Sequence, residues 1–165
     1  MLEDHAKLMA FFKQANEIVG RKRLQKMVYI LKKSGFPFSE RYSFHFYGPY
    51  SEELSTRIEE LCNLGFIGEA KEKEKGYFQY RYYLTEQGEG FLAEADVGVS
   101  DMTGLMEEMD SKSSKFLELV STMLYFEEFT QEEVEEKVLT VKSKQNYTEE
   151  DFSEAWEFIR KMKAH

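Results

Sequence analysis

One stretch constrains this chain more than any other: residues 20–54, GRKRLQKMVYILKKSGFPFSERYSFHFYGPYSEEL. Its first part predicts an amphipathic helix over 21–34. Leu24, Met27, Val28 and Leu31 fall at i, i+3, i+4 and i+7 on one apolar face, while Lys22, Lys26, Tyr29 and Lys33 fall on the opposite one. Gly35 is placed to stop it. Tyr42, Phe44 and Phe46 then alternate as a short strand does. The Gly48-Pro49 pair punctuates that strand before a third helix, expected over 50–64, with Leu54, Ile58, Leu61 and Cys62 inward.

The flanking segments extend the pattern. A first helix is expected over 2–19, with Leu8, Phe12, Ala15 and Val19 at helical spacing and Gly20 ending it. Beyond the third helix, 66–70 and 77–84 read as two strands joined by the KEKEKG tip, the second alternating Phe78, Tyr80, Tyr82 and Leu84. Thr85 can cap the helix that follows, TEQGEGFLAEA. Helix, basic helix, strand, helix and two-stranded wing make a winged helix-turn-helix over 1–95. The fold class is mainly α with a small antiparallel β wing (α+β).

Residues 96–111 mix Gly, Ser, Asp and Thr without periodicity and are expected to be a linker or irregular hinge. Three helices should then form an acidic C-terminal subdomain over 112–165. They are expected at 112–128 (Phe116, Leu117, Val120, Leu124), 131–143 (Val134, Val138, Val141) and 149–163 (Phe152, Ala155, Trp156, Ile159). Thr130 with Glu133, and Thr148 with Asp151, carry the spacing of capping boxes.

Composition excludes several functions. At 165 residues and 42% hydrophobic the chain can bury one substantial core. No run approaches the roughly 18 to 20 apolar residues of a bilayer span, and acids stand near the N-terminus where a secretory signal would be basic, so the expected location is cytoplasmic. Cys62 is the single cysteine, which precludes an internal disulfide and a cysteine-rich zinc site. His5, His45 and His165 are too scattered for a zinc triad, and there is no phosphate-cradling glycine turn. His45 is expected on the strand face away from the core, near Tyr47, in a structural role. The chain reads as non-enzymatic, with no cofactor and no small-molecule substrate evident.

Charge narrows the partners. The net charge of −9 lies wholly in the C-terminal part: residues 1–95 hold 14 basic and 14 acidic side chains, residues 96–165 hold 8 and 17. Between Arg21 and Arg41 seven cations face Glu40 alone. A DNA partner would use Arg21, Lys22, Arg23, Lys26 and Lys33 of the second helix with Lys71, Lys73 and Lys75 of the wing. The third helix is ill suited to a polyanion, since Glu52, Glu53, Glu59 and Glu60 are countered only by Arg57. A protein partner would instead use Tyr47, Tyr77 and Tyr83 with Arg81, residue types enriched at interface hot spots. Both remain open, as does a homodimer through the aromatic-rich first and last helices.

The phrase YYLTEQGEGFL looks like the strand-to-helix exit of winged-helix proteins. Leu24, Gln25, Lys26 and Tyr29 of the second helix, with Phe46, Tyr47, Gly48 and Pro49 downstream, resemble the motifs of the Panacea, or SocA-like antitoxin, domain. That resemblance covers the N-terminal half and implies a module that binds and neutralises a toxin or delivers it to a protease. Over the whole chain, acidic helical tail included, the sequence resembles the YwgA-like family of functionally uncharacterised bacterial proteins.

Overall fold

The computed structural model describes residues 2–95 and 97–164. Residue 96, where the expected linker begins, and His165 lie outside the described residues. Helix α1 (Leu2–Ala15) is followed by strand β1 (Glu17–Val19), helix α2 (Arg21–Lys33), strands β2 (Ser43–His45) and β3 (Gly48–Tyr50), and helix α3 (Glu52–Asn63). Strands β4 (Ile67–Glu74) and β5 (Tyr77–Leu84) lead to helices α4 (Glu86–Glu94), α5 (Thr103–Asp110), α6 (Ser114–Tyr125), α7 (Gln131–Val141) and α8 (Glu149–Lys163). The protein is thus α-rich, with two small antiparallel sheets, β1-β5-β4 and β2-β3.

Several boundaries differ from the sequence expectation for local reasons. The first helix stops at Ala15 rather than Val19, because Asn16 adopts the left-handed region (φ 72°) and turns the chain into β1. There Ile18 is buried opposite Tyr82, so Val19 continues a strand and not a helix. Gly48 and Pro49 do not open α3. They form β3, with Pro49 opposite Phe44, while Ser51 caps α3 by accepting from the Leu54 amide. Gly48 needs its glycine for its backbone, since its φ is +99°. Phe46 sits in the turn, 92% exposed, and so is not part of the strand's alternation.

The expected hinge contains α5, which buries Leu105, Met106 and Met109 against α1 and α2. Helix α6 then lies along α2, and every residue of α2 from Leu24 to Leu31 is buried. The apolar side chains of α1, α2, α5, α6 and α8 join one hydrophobic cluster that includes Phe11, Phe12, Leu31, Met109, Leu117 and Phe152. Each such buried side chain contributes roughly 1.5–3 kcal/mol. Both capping boxes form, Thr130 with Glu133 on α7 and Thr148 with Asp151 on α8. Val134 and Val138 point inward on α7, but Val141, expected there too, is exposed.

The motif residues of α2 hold this seam. The Gln25 amide donates to the Ser51 carbonyl (2.9 Å) and its oxygen accepts the Ser51 amide (2.8 Å), fixing the start of α3. Tyr42 donates to the Gln25 carbonyl at 3.0 Å and packs on Tyr29. Helix α4 approaches the wing so closely that a Cβ on Gly88 would lie 2.2 Å from the Phe66 carbonyl oxygen and 2.7 Å from Leu84 Cδ1. Gly88→Ala is therefore expected to destabilise by about 1–3 kcal/mol. Urea unfolding should show a lower midpoint with an unchanged slope.

Candidate nucleic-acid interface

The cations of α2 separate into those used internally and those left to solvent. Lys26 is 4% exposed, its ammonium 3.6 Å from Glu118 of α6. Lys142 shares that carboxylate at 3.8 Å and donates to the Phe46 carbonyl at 2.8 Å. Burial lowers the pKa of both lysines, against the pull of Glu118. Arg23 donates to the carbonyls of Met109 (2.9 Å), Asp110 (3.1 Å) and Lys112 (2.8 Å), satisfying the open end of α5. Lys33 pairs with Glu127 at 2.7 Å, and Lys163 of α8 reaches the same carboxylate at 2.8 Å. Burial works to raise Glu127, but the hydrogen bonds from Lys163 and Lys33 outweigh it and hold this carboxyl below its usual range.

The face of α2 expected to meet a partner is therefore largely covered by the acidic C-terminal helices. Lys26 and Lys33 neutralise Glu118 and Glu127, so they are not free phosphate contacts. Tyr29, on the same face, is buried. Charge excess in the C-terminal part serves in some measure as the counterpart of the basic helix.

Arg21 and Lys22, at the start of α2, remain exposed. The Arg21 guanidinium lies 3.7 Å from the centre of the Tyr80 ring, donates to the Tyr82 hydroxyl at 3.0 Å and stands 3.7 Å from Glu69. Lys22 lies 4.9 Å over the ring of Tyr47. The wing's register pairs Lys71 with Tyr80 and Lys73 with Phe78, and pairs Glu72 with Gln79 and Glu74 with Tyr77. Directly opposed residues share a face of a ribbon, so Lys71 and Lys73 stand with Phe78 and Tyr80 while Glu72 and Glu74 lie on the other side. Lys71 lies 4.3 Å over Phe78. The strands run further into the tip than expected, leaving Lys75 and Gly76 as the turn.

Between the start of α2, the wing and the start of α6 runs a groove of about 710 Å³. Arg21, Lys22, Arg23 and Lys26 line it from α2, Tyr77, Phe78 and Tyr80 from β5, and Lys115 from α6. Tyr77 and Phe78 are 58% and 57% exposed. Among the described residues, Lys22, Lys71, Lys73, Lys75 and Lys115 have no carboxylate partner within 4 Å. Lys115 and Gln145, which also lines the groove, carry no signal in the sequence, because only the fold brings α6 and the turn after α7 beside the wing.

The residues considered for a protein partner are dispersed. Tyr47 packs edge-on against Tyr50, beside His45, and beneath Lys22. Arg81 lies 3.6 Å from Glu17 and 3.9 Å from Glu72. Tyr83 is partly exposed and covers Gly68, where an added Cβ would meet its ring at 2.3 Å. On α3, Glu53 is tied to Arg41 and Arg57, and Glu60 to buried His5, leaving Glu52 and Glu59 exposed. Burial pushes the Cys62 thiol up to about 11, which suits an unreactive side chain. Among the described residues no group of three His, Cys, Asp or Glu is disposed to hold a metal, and no helix is long and apolar enough to cross a membrane.

Fold and groove define an α-rich α+β protein with a cation-and-aromatic cleft beside a β-ribbon. The chain belongs to the YwgA-like family: it is 60% identical over 163 residues to Uncharacterized protein YwgA of Bacillus subtilis (strain 168), covering 99% of this chain and 98% of that relative. No protein-family model matches the chain. No solved structure matches it.

Proposed function

We propose that residues 1–95 form a winged-helix module and that the protein is a non-catalytic regulator contacting nucleic acid through the start of α2 and one face of the wing. The element order supports the module: helix, strand, helix, a short two-stranded hairpin, helix and two strands, with β1 laid on β5. The observation that carries the function is the groove, which Lys22 and Lys115, neither paired with a carboxylate, line together with exposed Tyr77 and Phe78. Lys71 and Lys73 extend the positive surface along the wing. Cations of this kind supply affinity by displacing counterions from phosphate, whatever the sequence.

The test is fluorescence anisotropy with mixed-sequence nucleic acid at about 50 to 200 mM salt. Binding should weaken steeply with salt, and Lys22→Glu with Lys115→Glu should abolish it, whereas Lys33→Gln should leave it nearly unchanged. Insensitivity to salt and to the double reversal contradicts the reading. The second reading, a protein-binding role of the kind the Panacea resemblance implies, draws on Phe46, whose ring stands 92% exposed at the β2–β3 turn. A stable partner that co-purifies with the protein and is lost on Phe46→Ala would favour it.

A further inference from the structure

We infer that the groove takes single-stranded nucleic acid, with bases stacked on the wing aromatics and phosphates held by Lys22, Lys71 and Lys115. This rests on the nucleic-acid reading above and goes beyond it in naming the strand form. A duplex is normally read by a helix laid in its major groove, about 12 Å wide, which an α-helix of about 10–12 Å fills. Neither candidate helix is available for that. Helix α2 is flanked by α6, with residues 24–31 buried, and only its two ends reach solvent. Helix α3 presents Glu52 and Glu59 and begins with two acids in its first turn.

What remains accessible is a cleft walled by β5 on one side and the start of α6 on the other. Its floor holds Lys26 paired with the Glu118 carboxylate, and Arg21, Lys22, Arg23 and Lys115 make the lining cationic on balance. Its wing side carries Tyr77, Phe78 and Tyr80. Tyr80 already has the Arg21 guanidinium over its ring. Tyr77 and Phe78 leave more than half their surface to solvent; Lys71 stands 4.3 Å over the Phe78 ring, and neither ring is stacked on another among the described residues. Exposed aromatic faces beside a cationic track are what a single strand requires: every base has a face to stack, and recognition does not depend on base identity. The register sets Glu72 and Glu74 on the ribbon face opposite Phe78 and Tyr80; Tyr77 shares that face with Glu74 and borders the groove from the ribbon's tip.

The full-length protein is titrated into labelled single-stranded DNA of about 16 nucleotides, the same sequence as RNA, and its DNA duplex, at about 50 mM salt. Either single strand should bind at least about tenfold more tightly than the duplex, and Phe78→Ala should weaken it roughly 5- to 100-fold. Because Phe78 is exposed, that variant should keep the wild-type circular dichroism and urea midpoint, so a loss of binding reports the site. Tyr77→Ala provides a second such variant. Tighter duplex binding, or single-strand binding indifferent to both aromatic substitutions, overturns this inference while leaving nucleic-acid binding in place. Absence of binding to all three probes overturns the nucleic-acid reading as well.

Discussion

Replacing Glu118 with alanine should cost about 3–5 kcal/mol of stability, the magnitude expected when one member of a buried charge cluster is removed. Glu118 is the only carboxylate within 4 Å of either Lys26 or Lys142 among the described residues, and both lysines are buried. Without it Lys26 on α2 and Lys142 at the end of α7 are left with no counter-charge in a site from which water is largely excluded. Glu118 also accepts from Gln145 at 3.2 Å, so the turn after α7 loosens with it. A triple variant, Lys26→Met, Glu118→Leu and Lys142→Met, should recover much of the loss, since buried ion clusters replaced by apolar side chains of similar volume are often neutral. Chemical denaturation of the three proteins at neutral pH measures both effects. A Glu118→Ala variant as stable as the wild type would show that α6 does not rest on α2 through this cluster.

Alkaline pH should unfold the protein cooperatively. Burial raises the pKa of Tyr29, Tyr42, Tyr82 and Tyr147 well above the ordinary 10.0, mainly because a phenolate cannot be solvated there. The native state therefore holds four protons that the unfolded chain releases. The stability they represent is complete below pH 10 and is lost as pH rises towards their folded values. The buried lysines act in the opposite sense. Burial lowers Lys26, Lys32 and Lys142 from 10.5, so below that value the unfolded chain binds more of their protons and stability gains as pH rises. Well above pH 10.5 those lysines are neutral in both states and the tyrosines dominate. The loss there should reach up to about 5 kcal/mol per pH unit for four protons. Tyrosinate absorbance followed against far-ultraviolet circular dichroism checks it. The four ionisations should coincide with loss of helix, and tyrosinate forming in a still-helical protein would contradict the burial.

Much of the architecture is legible in the chain because apolar spacing and caps are local. Leu24, Met27, Val28 and Leu31 mark the buried face of α2 correctly, and the threonine caps place the starts of α7 and α8. What spacing cannot show is whether a polar side chain has a partner. Lys26 and Tyr29 occupy helical positions opposite the apolar face and read as solvent-facing. They are buried because α6, some 90 residues on, lies over them. The complement was present as charge, a basic helix in one half and Glu118 and Glu127 in the other, but nothing local pairs them. Strand β1 is three residues long and depends on Asn16 entering the left-handed region, which its sequence permits without requiring. The hinge expected over 96–111 held a helical signal, Leu105, Met106 and Met109, in a segment too short to stand out from its Gly and Ser neighbours. The groove was half legible: Arg21, Lys22, Lys71, Lys73 and Tyr77 were candidates, whereas Lys115 joins them only through the packing of α6.

Amide chemical-shift mapping during titration with a single-stranded oligonucleotide tests most directly where this protein meets a partner. The expected perturbations centre on Arg21, Lys22, Tyr77, Phe78 and Lys115, with α3 and the buried middle of α2 unchanged. Perturbations concentrated on α3 around Glu52 and Glu59, or none at saturating nucleic acid, would contradict the assignment of the groove as the binding surface.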